Sequence, residues 1–142
     1  MKNLNIQQVF SAFDATDEEV FVQERMLDLL ENPYVLMGIV VRGVENYYLL
    51  DTMYSKKYGE QWDNIKYQIK HKYFTRLVQY LYRINFNTYE FRYMIGKDFD
   101  KESVSLALNN MIDFFLLTEE YEHCGAIKKY VDLLWEELDP IV

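Results

Sequence analysis

The chain has 142 residues, of which 50% are hydrophobic and 17% aromatic, with a formal charge of −8 and a single cysteine. That length suits one helical domain spanning 1–142 with a real core, and the aromatic content excludes a disordered or merely solvating chain. Cys124 alone excludes an internal disulfide, and with it a disulfide-stapled secreted scaffold, so a reducing, cytoplasmic setting is expected.

The opening residues lack an apolar stretch followed by a small-residue cleavage site, and the longest uncharged apolar run, 34–41, is too short to span a bilayer. No membrane association is expected. Residues 16–19, Thr-Asp-Glu-Glu, read as a capping box that opens a helix over 16–31 with Val20, Leu27 and Leu30 on its apolar stripe. Asn32 then serves as a cap and Pro33 as a first helical residue, where its missing amide costs nothing. Met37, Val40, Val44, Tyr47, Asp51, Tyr54 and Tyr58 follow at alternating spacings of three and four, which predicts a second helix over 33–58. The alternative is a small β-hairpin at 34–50 turning at 42–46 around Gly43, which would make the fold α+β.

Gly59 separates this segment from a third helix striped by Trp62, Ile65, Ile69, Tyr73, Leu77, Tyr80 and Ile84. A short helix is expected over 88–95. Asp100 caps a helix over 101–117 that buries Val104, Leu108, Met111 and Phe115. A last helix over 120–138 buries Cys124, Ile127, Val131, Leu134 and Leu138 before Pro140. The expected fold is an all-α bundle of about five helices, with Trp62, Ile65, Ile69, Leu77, Leu108, Met111, Phe115, Ile127, Val131 and Leu134 in the core.

Charge is blocked along the chain. Residues 1–34 carry two bases and seven acids, 35–59 three and two, 60–93 six and three, and 94–142 four and eleven. An acidic total repels nucleic acid in bulk, so contact with it would fall to the basic, Tyr-rich segment 56–92 and to Lys66, Lys70, Lys72, Tyr73 and Arg76. The other reading is that Lys66, Lys70, Lys72 and Arg76 neutralise acids of the first and last helices. That would leave Glu119, Glu122, Glu136 and Glu137 as an exposed acidic face for a basic protein partner.

No phosphate loop, nucleophile elbow or zinc-spaced Cys/His set occurs. Glu120 and His123 have the Glu-x-x-His spacing of carboxylate-bridged di-iron bundles, but His71 is preceded at the matching position by Gln68, so the second pair is absent. Cys124 reads as a small buried thiol, because His123 is its sequence neighbour and points to another helical face. No metal, no cofactor and no catalysis are expected.

Residues 116–132 run Leu-Leu-Thr-Glu-Glu-Tyr-Glu-His-Cys-Gly-Ala-Ile-Lys-Lys-Tyr-Val-Asp. Their acid-Tyr-Glu opening, small Cys124 and Ala126, and Ile127-Lys128 resemble the UVR motif, a helical hairpin of excision-repair proteins and Clp-type chaperones. The segment departs from that motif at Lys129, where an acid is usual. The resemblance implies a hairpin that mediates protein contacts, with Tyr121 closing the corner and small residues letting its two helices approach.

These features favour a small acidic protein-binding regulator or adaptor, comparable by analogy to the inhibitors that phages and mobile elements direct at host machinery. The rival readings are a nucleic-acid-binding protein using 56–92 and a structural component of a larger assembly. Thirteen Tyr and nine Phe also supply enough aromatic surface for a homo-oligomer.

Overall fold

A computed structural model of the protein describes residues 32–85, 88, 89, 91, 93, 97 and 99–136. They form four helices, α1 (Pro33–Tyr58), α2 (Glu60–Tyr82), α3 (Lys101–Leu117) and α4 (Tyr121–Trp135), with no strand among the described residues. The fold is therefore all-α. The helix expected over 16–31, half of the residues 88–95 and Leu138 lie outside the described residues, while Tyr89, Phe91 and Tyr93 of the expected short helix are helical.

Local chemistry sets the helix starts where the sequence places them. The Asn32 side chain accepts from the Tyr34 amide at 2.8 Å with Pro33 in the first turn. Asp100 accepts from the Glu102 amide at 3.2 Å and from the Ser103 hydroxyl at 2.7 Å. Each cap satisfies an amide that the helix itself cannot pair. Gly59 ends α1 and opens α2 at φ +53, in the left-handed range where a Cβ is strained.

The hairpin alternative for 34–50 does not hold, because these residues lie inside the unbroken α1. Gly43 is there for packing and not for a turn: a Cβ at this position would come within 2.6 Å of a Leu77 methyl carbon. The missing side chain lets α1 and α2 approach. The β-branched run around it is accommodated by burial, with Leu36, Met37, Ile39, Val40, Val41, Val44 and Tyr47 all in the interior. Tertiary burial outweighs a weak local preference for strand.

The chain forms two antiparallel hairpins, α1–α2 and α3–α4, which dock mainly through α1 against α3 and more thinly through α2 against α4. The predicted core is buried, except that Ile65 and Val131 are partly exposed and pack against its edge. Asp51, an acid on the apolar stripe of α1, accepts from the Trp62 indole at 2.6 Å, so a fully buried Trp keeps its polar group satisfied.

Polar ties stitch the second hairpin onto α2. The buried Tyr130 hydroxyl lies 2.8 Å from the Leu81 carbonyl and 2.9 Å from the Ile84 carbonyl, which share its one proton. His71 Nε2 sits 2.6 Å from Glu120 Oε1, and Tyr82 hydrogen-bonds His123 Nδ1. Both histidines of the chain thus lie on this seam.

Candidate functional site: the α3–α4 corner

At the end of α3 the Glu119 amide donates to the Leu116 carbonyl and the Glu120 amide to the Phe115 carbonyl at 2.9 Å. This pair of bonds is a Schellman cap, which needs its last turn residue in the left-handed region. Glycine usually fills that place, but here it is Glu119 at φ +60, the one non-glycine residue with positive φ among the described residues. The geometry costs an L residue roughly 1 kcal/mol or more, and it leaves the Glu119 side chain exposed to solvent.

Around it the chain exposes apolar groups where a soluble helix end usually carries polar ones. Leu117 is 79% exposed, Tyr121 63% and Leu116 47%, with Glu122 exposed beside them. No Lys or Arg occurs between Lys101 and Lys128, whereas Glu102, Asp113, Glu119, Glu120 and Glu122 fall in that interval. The corner is an apolar knob with two exposed acids, Glu119 and Glu122, beside it.

The hairpin implied by the UVR resemblance is present, but its corner is closed differently. Tyr121 projects outward, and the closure comes from the Schellman bonds and from the Thr118 hydroxyl donating to the Phe115 carbonyl at 3.2 Å. Cys124 does allow close approach, its thiol lying 3.6 Å from the Ile112 carbonyl. Burial pushes that thiol up from its ordinary range, which disfavours the nucleophilic thiolate. His123 faces Tyr82 and the Phe115 ring, whose centroid is 4.8 Å from its own. Among the described residues no three His, Cys, Asp or Glu side chains are placed to hold a metal ion.

The four acids proposed for a partner face are not all neighbours. Glu119 and Glu122 belong to the corner. Glu136 is exposed just past the far end of α4, about 20 Å away at the helical rise of about 1.5 Å per residue. Glu137 lies outside the described residues. Glu120, between the two corner acids, turns inward to His71, and its second oxygen is buried without a hydrogen bond. That pairing joins residues 49 positions apart, so no local pattern could reveal it.

The basic set is also split. Tyr73 is 3% exposed because it shares the core stripe of α2 with Ile69 and Leu77, so its ring offers no open stacking face. Lys70 folds inward. Its ammonium lies 5.1–5.3 Å from the ring centroids of Tyr47, Tyr48, Phe74 and Phe114 and 3.4 Å from the Tyr48 hydroxyl. Burial lowers its pKa, partly countered by Asp51. Lys66 pairs at 3.4 Å with Asp63 of its own helix. Lys72 is exposed and Arg76 half-buried. These five side chains therefore do not form one open basic face.

Comparison of the chain with protein-family models, with curated proteins and with solved structures finds no match.

Proposed function

We propose that this chain is a protein-binding regulator or adaptor that presents the α3–α4 corner to a basic, partly apolar partner surface in the cytoplasm, without catalysing a reaction. The observation that carries this reading is Glu119, an acid held in a left-handed conformation at the tip of an exposed Leu116–Leu117–Tyr121 knob. Backbone strain at an exposed polar residue, where glycine would be less costly, is a mark of a functional position. The knob supplies apolar and aromatic anchors, and Glu119 and Glu122 supply steering and orientation. Glu136, exposed past the other end of α4, would belong to a second acidic site.

The test compares proteins retained from a host lysate by the wild-type chain and by a chain carrying Glu119→Lys and Glu122→Lys, with Glu136→Lys and Glu137→Lys as a separate pair. A partner held by the wild type and lost with the corner pair, at unchanged melting temperature, supports the reading. Failure of the wild type to retain any protein rejects it.

A further inference from the structure

Between α1 and α3 runs a groove of about 290 Å³ lined by Val44, Glu45 and Tyr48 on one side and Ser103, Leu106, Ala107 and Asn110 on the other. It lies at the small end of ligand-site volumes, suited to one or two large side chains. Leu106 stands on its rim, 64% exposed. From there the outward surface of α3 continues through Asn110 and Asp113 to Leu117, positions related as i, i+4, i+7 and i+11. That spacing places them along one side of the helix, with the two leucines about 16 Å apart at the helical rise of about 1.5 Å per residue.

Among the described residues acids predominate along this line. Glu45 lines the groove, Glu102 precedes it and Asp113 follows it, the last two exposed. Asp113 is near enough to the Tyr48 phenol to raise its pKa, second to burial. Of the nearby cations, Lys101 lies 5.9 Å from the Trp135 ring centroid and Lys70 sits in its aromatic enclosure, which leaves Arg42, one turn before Glu45, as the exposed base closest in sequence. Apolar sites at both ends with acids between them complement a basic amphipathic helix, the helix-in-groove mode of recognition.

We propose that the α1–α3 groove and the Leu106–Asn110–Asp113–Leu117 line are the docking track for such a helix from a partner protein. One apolar side chain enters beside Val44 and Leu106, a second rests on Leu117, and Lys or Arg between them meets Asp113 and Glu45. This inference rests on the protein-binding reading and extends it from the corner to a track that ends there.

The probes are two synthetic 18-residue peptides of identical Leu, Lys and Ala composition. One has its leucines on a single helical stripe and the other has them scattered. With isotope-labelled full chain, the striped peptide should bind about tenfold more tightly than the scattered one. The amide shifts it causes should concentrate at 44–48 and 103–117. Leu106→Ser and Asp113→Lys, both at exposed positions, should each weaken it by about tenfold while the spectrum stays that of the folded chain. Equal affinity for the two peptides, or binding by neither, overturns the docking track and leaves the corner reading to the lysate comparison. Binding that ignores Leu106→Ser and Asp113→Lys but is abolished by Glu119→Lys with Glu122→Lys also overturns the track, while supporting the corner.

Discussion

Tyr130 shows how much one hydroxyl can carry at the residue scale. It serves two carbonyls around the end of α2: that of Leu81, which also accepts from the Ile84 amide at 3.0 Å, and that of Ile84, just past the helix. Tyr130→Phe keeps the ring against Phe91, at a centroid distance of 5.8 Å, but takes the phenol donor from both carbonyls and leaves Leu81 its bond from the Ile84 amide. We expect a loss of about 1–3 kcal/mol in denaturant unfolding. Burial, with a smaller contribution from Tyr82, pushes the phenol up from 10.0 to about 12. A raised folded pKa means that the native state holds the proton more tightly, so this stabilisation is complete below pH 10 and disappears as pH rises through about 12. Unfolding free energy should therefore fall between pH 10 and 12, and less steeply in Tyr130→Phe. Buried Tyr47, raised further by burial, acts in the same direction. Glu119→Gly should do the reverse of most substitutions. Relief of the left-handed strain predicts a gain of about 0.5–1 kcal/mol, seen as a higher melting temperature, together with slower association with the corner's partner.

At the scale of the element, glycines inside helices separate packing from propensity. A methyl group added at Gly38 or Gly125 would meet nothing within 4 Å, while one at Gly43 would meet two Leu77 methyl carbons at 2.6 and 2.9 Å. Alanine in place of glycine inside a helix gains about 1 kcal/mol in propensity. Overpacking a full core costs about 1–3 kcal/mol. Gly38→Ala and Gly125→Ala should thus raise the melting temperature and Gly43→Ala should lower it. If Gly43→Ala also stabilises the chain, Leu77 has room to move and the close α1–α2 approach does not depend on the missing side chain. The same comparison explains α1 itself: its β-rich run is helical because it is buried from several sides, not because of its local preference.

For the whole molecule, two hairpins meet across a seam that is largely aromatic and polar on the α2–α4 side. His71–Glu120, Tyr82–His123 and Tyr130 with its carbonyls fix how the second hairpin sits on the first. This docking sets the α1–α3 groove beside the exposed line of α3 that runs to the acidic corner. Far-ultraviolet circular dichroism should be dominated by helix. A substantial strand contribution would contradict α1. Because exposed charges contribute little to stability, roughly 0–1 kcal/mol each, reversing Glu119 and Glu122 should change association rate and its salt dependence far more than the melting temperature.

The sequence by itself determined the helical periodicity of α2, α3 and α4 and the caps at Asn32 and Asp100. Apolar spacing, Asn32, Asp100 and Gly59 act within a few residues, and such short-range chemistry is readable without a fold. It also marked the acids of the α3–α4 corner. Only the tertiary structure decided which side chains face one another. It buried Tyr73 and enclosed Lys70 in rings from three helices, dividing the basic set. It placed Glu136 a helix length from Glu119, and it paired His71 with a glutamate 49 residues away. The physical reason is that charge and aromatic content are sums over the chain, whereas a binding surface depends on which groups each helix turns outward after the hairpins dock. That choice is made by contacts between residues far apart in sequence, such as Gly43 with Leu77, and no local period encodes them.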